Sequence, residues 1–407
     1  MNLSFVNGGQ PTPVTLRVWV PAGVNRLRGM VLDLPGSGQT TQPDLSNAEW
    51  TGRMSSIGFG MVGLTDVNNS VWGQFGAEIE TNVQTLLNAV GSTYAHPEIA
   101  NAPIITTGVS KGAGDATDIA AAMAERTLCY VCDKGGYFVA DYGGVGAAII
   151  PPGLMIGGSD DTSIPPSSVR NTFTTGRALG APVAQVIDWH VGHATTQSHV
   201  GYAFIENALR VRYPNAMQPP TTPGHPLMLT TDTSKIWLGQ SNPLDANGQF
   251  VNVPSPELAP EASYTGNPDL ASSLPNAMMA SVYRVQNIFS KPLQIKVLSS
   301  ANPGVLDLAV DMNGLTYSSI QLYHEDQLIN VFGPGSTQQH MLYYPTETGL
   351  HTFIGIAQYT FNGNSFTTSS FITVGVNAVP EPMLAVPLAL VGATLRRRAK
   401  AAGCQRS

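Results

Sequence analysis

The chain is poor in charge. Only 12% of its 407 residues are Asp, Glu, Lys or Arg, beside a hydrophobic share of 43%, and roughly a quarter charged is usual for a soluble domain. Gly, Pro, Thr, Ser and Asn fill the difference, a balance that suits an exported, loop-rich protein. The body also lacks a basic cluster. Net charge is −7, and the one basic run, Arg396-Arg397-Arg398 with Lys400, stands near the C-terminus. Phosphate binding draws on a concentrated Lys/Arg surface, so nucleic acid is not an expected partner. Cysteine is scarce: there are three, too few to imply a disulfide scaffold. Cys129 and Cys132 form a C-x-x-C, but no second such pair or nearby His pair completes a tetrahedral site. They read as thiols at the end of an apolar strand, Cys404 sits in the tail, and neither a metal nor a cofactor is expected. The first residues lack the charged-then-apolar order of a secretory signal, and there is no internal repeat.

What is present divides the chain. Its length suggests two domains and a tail. Residues 1–213 alternate apolar runs with helical patterns, the mark of a doubly wound, mostly parallel sheet with helices on both faces. Strands are expected at 14–20, 29–34, 60–64, 103–107, 128–132, 153–156 and 183–189, and helices at 78–90, 113–126 and 198–212. Residues 214–226 hold five prolines and read as a linker. From 227 to 376 no helix is expected. Alternating segments at 281–285, 293–298, 305–310, 320–323, 328–332, 341–344, 352–359 and 365–374, with a loop-rich stretch at 240–280, suggest an all-β, immunoglobulin-like sandwich. Residues 377–407 form the tail.

One pentapeptide carries chemistry. Gly108-Val109-Ser110-Lys111-Gly112 is a G-x-S-x-G that occurs once, after an apolar strand and before an Ala-rich helix. A strand that turns sharply into a helix leaves one side chain exposed, and its neighbours two residues away must be tiny. The helix N-terminus then aims backbone N–H groups at a developing oxyanion. A serine nucleophile needs a base, and the base an orienting acid. Downstream, a strand opens into Gly157-Gly158-Ser159-Asp160-Asp161-Thr162-Ser163-Ile164-Pro165, and another into Asp188-Trp189-His190-Val191-Gly192-His193. The order Ser, Asp, His is that of the α/β-hydrolase fold.

Here the chain resembles the α/β-hydrolase family, in particular compact esterases of the dienelactone hydrolase and feruloyl or polyester esterase type, over residues 14 to about 213. The resemblance implies an acid a few residues before a proline, which Asp161 matches best and Asp160 second. It implies a histidine after a small residue in the last loop, which is His193, with His190 and His199 as rivals. Asp188 is a third acid candidate. One oxyanion donor is implied at the N–H of Lys111. The other is implied in a loop after an earlier strand, here Pro35-Gly36-Ser37-Gly38, at Ser37 or Gly38; Pro35 replaces the family's usual histidine. The Lys111 side chain is either a cation favouring anionic substrates or a solvent-facing group. Trp72, within loop 66–75, is a candidate wall of the cleft or else a core or surface residue, and loop 137–146 is expected to shape the pocket.

The tail has its own resemblance. Val379-Pro380-Glu381-Pro382 precedes an apolar run at 383–395 and then the arginines, an order similar to the PEP-CTERM sorting signal of certain Gram-negative bacteria. That implies an exported protein held transiently at the membrane until a sorting enzyme removes the tail, with the mature chain at the cell surface, in the matrix or in the periplasm. Thirteen helical residues span about 20 Å, short of a hydrocarbon core of about 30 Å. Together the two resemblances imply a serine hydrolase for a carboxylic ester, polymer- or polysaccharide-linked substrates included, with no cofactor. A serine peptidase of the same fold and a non-catalytic surface or matrix binding protein are the alternatives.

Overall fold

The computed structural model describes residues 1–377 apart from 41–43, 65–71, 74–75, 136–145, 147, 195–198, 215–216, 221–225, 254–255, 288–292, 299–303, 313–314, 326 and 362–363. The motif Pro380-Glu381-Pro382 and the tail around it lie outside the described residues, as do most of loops 66–75 and 137–146 and part of the proline-rich segment.

The apolar runs of the first half make one sheet. It is built from β1 (Asn2–Asn7), β2 (Gln10–Trp19), β3 (Gly29–Leu34), β4 (Phe59–Leu64), β5 (Ile104–Val109), β6 (Thr127–Asp133), β7 (Gly153–Gly158) and β8 (Val183–Asp188). The order across the eight strands is β1-β2-β4-β3-β5-β6-β7-β8. β1, β2 and β4 pair antiparallel, and every neighbouring pair from β4 to β8 is parallel. Strands such as β3, β6 and β8 are buried along their whole length, which is why they read as unbroken apolar runs rather than alternation.

Among the described residues, five helices cover the sheet: α1 (Ala48–Ser56), α2 (Gly76–Thr93), α3 (Lys111–Ala122), α4 (Pro166–Ala178) and α5 (His199–Arg212). Successive strand residues point to opposite faces, and the core divides accordingly. Met30, Leu32 and Leu34 share a cluster with Val83 and Leu86 of α2 and Ile119 of α3. Val31 and Ile105 share the other with Trp50 of α1 and Phe204 of α5. This is a mixed, mostly parallel sheet with helices on both faces, occupying about half the chain. The chain runs from β3 to β4 on one side and then returns to β5 on the other, so the loops after β3 and β5 leave from adjacent strands at the carboxyl edge, where open α/β sheets bind ligands.

Beyond the proline-rich segment, β9 (Trp237–Gln240), β10 (Leu258–Pro260) and β11 (Ala271–Leu274) form a small sheet, of which β10 and β11 lie inside the stretch expected to be loop-rich. The expectation of no helix here fails. Residues 281–285, read as a strand, belong to helix α6 (Ala277–Gln286). Asn276 caps it by accepting from the Met279 N–H, and Met278, Met279, Val282, Tyr283 and Val285 are buried; that spacing winds round a helix and happens to contain a short alternation. The strip packs on the first half: Ser272 Oγ accepts from the Gln185 N–H at 2.9 Å, and the Asn287 side chain accepts from the Ile187 N–H at 3.2 Å.

Among the described residues, seven antiparallel strands then make two facing sheets. They are β12 (Gln294–Leu298), β13 (Leu306–Asp311), β14 (Tyr317–His324), β15 (Gln327–Phe332), β16 (Gln339–Tyr343), β17 (Gly349–Phe361) and β18 (Asn364–Val376). The sheet orders are β12-β13-β16 and β15-β14-β17-β18. Leu308, Val310, Ile320, Leu322 and Phe353 fill the space between them. Among the described residues, no helix is long and apolar enough to cross a membrane.

The sandwich is seated on α1 and α5. Arg53 Nε donates to the Thr373 carbonyl at 2.8 Å, and a Cβ on Gly375 would sit 2.8 Å from Arg53 Cα, so only glycine permits that approach. Glu206 of α5 accepts from the Thr352 hydroxyl and from Arg210 at 3.0 Å. Burial outweighs the pull of Arg210 and pushes the Glu206 carboxyl up to about 7 from 4.5. A folded-state value above the unfolded one means that the native chain takes up the proton first as pH falls, so this group favours folding more below that window than above it. His324 and His351, whose values burial lowers, act in the opposite sense, so the Glu206 share is read by difference. On acidification from above pH 7 to about 4.5, the wild type should gain on the order of 3 kcal/mol over Glu206→Gln. Urea titrations at the two ends measure it, and a constant difference would count against a proton-binding Glu206.

Candidate active site

β5 ends at Val109 and α3 begins at Lys111, so one residue makes the turn. That residue, Ser110, has φ 53° and ψ −116°, a backbone conformation that costs a non-glycine residue about 1–3 kcal/mol. Its N–H donates to the Asp133 carbonyl at 3.0 Å, and its carbonyl accepts from Ala113 at 3.1 Å. The glycines on either side explain how strand and helix come so close. A Cβ on Gly108 would collide with the Gly112 carbonyl, and one on Gly112 with the Leu34 carbonyl of β3. Both obstacles are backbone atoms that cannot rotate away. Gly112→Ala should therefore destabilise the fold by about 3 kcal/mol, seen as a lower midpoint in urea; an unchanged midpoint would mean that the elbow is looser than its contacts indicate.

The loop after β3 lies against this turn. Pro35 and Gly36 are buried while Ser37 and Gly38 are exposed. A Cβ on Gly36 would be 3.5 Å from Ser110 Cβ, and Gly38 has φ +67°. The loop thus brings Gly36, with Ser37 and Gly38 next along the chain, beside the Ser110 side chain. The Lys111 N–H is at the first helical position, where no intrahelical partner exists. The Lys111 ammonium bonds Asp115 one turn along the helix, at 3.0 Å, and is about a quarter exposed. The ammonium is thus paired with a carboxylate of its own helix.

Asp161 and His193 meet across the carboxyl ends of β7 and β8. Asp161 Oδ2 lies 2.8 Å from His193 Nδ1. Asp161 Oδ1 accepts from the N–H groups of Ser163 at 2.8 Å and Ile164 at 2.9 Å. The Asp161 side chain is fully buried and that of His193 is 28% exposed. With Oδ1 occupied by two backbone donors, Oδ2 is the oxygen left for the ring. A carboxylate facing Nδ1 holds the neutral imidazole in its Nδ1–H form and leaves Nε2 as the acceptor.

The rival pair is differently placed. Asp160 Oδ2 and His190 Nδ1 are 3.9 Å apart, with both side chains more than half exposed. Asp160 Oδ1 accepts from the Ser159 hydroxyl, which in turn accepts from the His190 N–H. These contacts tie down a loop whose residue His190 has φ 60°, and they do not build a buried acid–base pair. Asp188 is committed elsewhere, to Lys134 Nζ at 2.7 Å and Gln286 at 2.8 Å. His199 opens α5. Trp72 is a correction to its reading as a cleft wall: it is 2% exposed, its ring centroid is 5.3 Å from that of Phe5, and its carbonyl accepts from Asn82 of α2. The indole fills the space between the β1–β2 hairpin and α2.

Lys134 escaped the sequence reading. It follows β6 directly, is wholly buried, and bonds Asp133 at 2.8 Å as well as Asp188 at 2.7 Å. Burial alone would lower its value, but the two carboxylates reverse that and hold the ammonium above its ordinary range. It ties the end of β6 to the end of β8, beneath the loop that carries His193. The available signal was a charged Asp133-Lys134 step closing an apolar run, which has no meaning until Asp188 is brought beside it.

No protein-family model matches the chain. No curated protein matches it either. Solved structures do resemble it, over about half its length. Esterase PE8 is 18% identical, with 48% of this chain and 99% of the other covered and a TM-score of 0.37. A phospholipase/carboxylesterase from Dyadobacter fermentans is 21% identical, with 45% and 91% covered and a TM-score of 0.32. A Bacillus cereus carboxylesterase is 15% identical, with 48% and 94% covered and a TM-score of 0.34. These three solved structures are thus esterases at low identity.

Proposed function

We propose that the chain is an exported serine hydrolase that cleaves carboxylic esters. The observation that carries the reading is the buried Asp161–His193 bond of 2.8 Å, placed on the same sheet edge as a serine in a strained, glycine-flanked elbow. Ser110 Oγ attacks the acyl carbon while His193 Nε2 takes its proton. The proton then passes to the departing alkoxide, leaving an acyl-serine that water hydrolyses by the same route in reverse. Asp161 stabilises the imidazolium, and the N–H groups of Lys111 and of Ser37 or Gly38 receive the oxyanion. The proposed domains are a hydrolase unit at 1–213, the segment 214–226, a β-rich unit at 227–376 and a sorting tail at 377–407. The two-sheet, seven-strand arrangement supports an immunoglobulin-like assignment for the sandwich. The tail motif supports export and removal by a sorting enzyme.

The test is hydrolysis of p-nitrophenyl acetate and butyrate by the full chain beside Ser110→Ala, with peptide p-nitroanilides in parallel. Ester turnover lost in the variant supports the reading. Turnover confined to the anilides would assign a peptidase, and folded protein inert toward both would assign a binding module.

A further inference from the structure

A second cluster of titratable side chains lies in the sandwich, where it faces α5. His324 ends β14, Glu325 follows in the turn to β15, and His351 lies on β17 two residues before Phe353, the register partner of His324. Both rings therefore stand on one face of the sheet. Three donor atoms converge there. His324 Nε2 is 2.9 Å from His351 Nδ1 and 3.2 Å from Glu325 Oε1, and His351 Nδ1 is 3.9 Å from the same oxygen. A point about 2.0 Å from all three exists at the centre of that triangle, and this is the length of a zinc–nitrogen or zinc–carboxylate bond.

The outer nitrogens are already held. His324 Nδ1 bonds the Tyr343 hydroxyl at 2.9 Å, and His351 Nε2 bonds the Glu347 carbonyl at 3.1 Å. Such outer partners fix the tautomer and orientation of metal-ligating histidines. The two imidazoles are 11% and 2% exposed. Glu325 has φ 51°, a left-handed backbone that turns its side chain back over the strand it has just left. A cavity of about 330 Å³ lies nearby, lined by Arg210, the ion-pair partner of Glu325, and by Glu206, Glu347 and Leu350 among others.

We propose that His324 Nε2, His351 Nδ1 and Glu325 Oε1 bind one divalent cation of zinc-like preference at the seam between the two halves of the chain. Without the ion, the His324 Nε2–H donates to His351 Nδ1, whose own proton is on Nε2 against the Glu347 carbonyl. Loading moves the His324 proton from Nε2 to Nδ1, and the Tyr343 hydroxyl turns from donor to acceptor, so no proton is released by the rings. Glu325 also takes an ion pair from Arg210 of α5. The ion competes with that guanidinium for the carboxylate, while Arg210 retains Glu206.

The experiment strips the full chain with a chelator and titrates it with zinc against a chromophoric competitor, then with cobalt to record the visible bands of a four-coordinate site. One ion per chain is expected. His351→Ala and Glu325→Gln should weaken binding by more than about 100-fold, and Tyr343→Phe by about tenfold, the range for outer partners. His340→Ala, at an exposed histidine paired with Asp307, should leave affinity unchanged. Glu325→Gln alters a partly exposed turn, so it reports even where the buried histidine variant fails to fold. Wild-type protein that binds no zinc at millimolar free ion, equal affinity in wild type and Glu325→Gln, or loss of the ion in His340→Ala would each overturn the proposal. None of these readouts depends on ester turnover.

Discussion

Ser110→Ala is expected to lower kcat/KM for p-nitrophenyl butyrate by roughly 10³- to 10⁶-fold, the range seen when a nucleophile is removed from a triad that acts as a unit. The fold should survive. The strain at Ser110 is in its backbone, and alanine has the same Cβ. The hydrogen bonds that oppose the strain, to the Asp133 carbonyl and from the Ala113 N–H, are made by main-chain atoms. The variant thus removes the attacking oxygen and little else, and its melting temperature should match the wild type. A loss below about tenfold would place the chemistry on another residue.

Asp161→Asn tests the tautomer rather than the nucleophile. Two N–H donors point at Asp161 Oδ1, so the asparagine must turn its carbonyl to them and its NH₂ to His193. That NH₂ would donate to Nδ1 and drive the ring proton to Nε2, where the base has to accept. A fall in kcat of about 10⁴ is expected, as for the same exchange in other triads. Asp160→Asn, changing a carboxylate that faces solvent 3.9 Å from His190, should stay within a few-fold. Comparable losses in both variants would dissolve the assignment of Asp161. Saturation kinetics with matched far-UV spectra decide it.

The candidate site residues were legible for particular physical reasons. Ser110 announces itself because a strand–helix elbow admits only glycine at 108 and 112, a constraint written into consecutive residues. Asp161 and His193 follow from strands that open into polar loops, since β7 and β8 are buried on both faces and their apolar runs end abruptly. Three helices behaved otherwise. α1 and α4 were missed because they are polar over most of their surface: α4 buries Val169 and Phe173 as its large apolar contacts. Their start signals were nonetheless present, in Asn47 as a side-chain cap and in Pro165-Pro166 at the first turn. α6 was mistaken for a strand because five residues are too few to separate the two periods. Lys134 and the His324–Glu325–His351 cluster were invisible for a different reason, as each depends on partners far away in the chain, Asp188 for the lysine and β17 for the histidine pair.

The seating of the sandwich on α1 and α5 has a thermodynamic corollary. Leu350 and Ile354 of β17 belong to the same apolar cluster as Trp50, Tyr202 and Leu209. Domains joined by a small polar contact unfold independently, but halves that bury residues in one another's core lose that independence. A calorimetric scan of the full chain should therefore show one endotherm with equal van't Hoff and calorimetric enthalpies. Heat would not release the sandwich first and leave the eight-stranded unit folded behind.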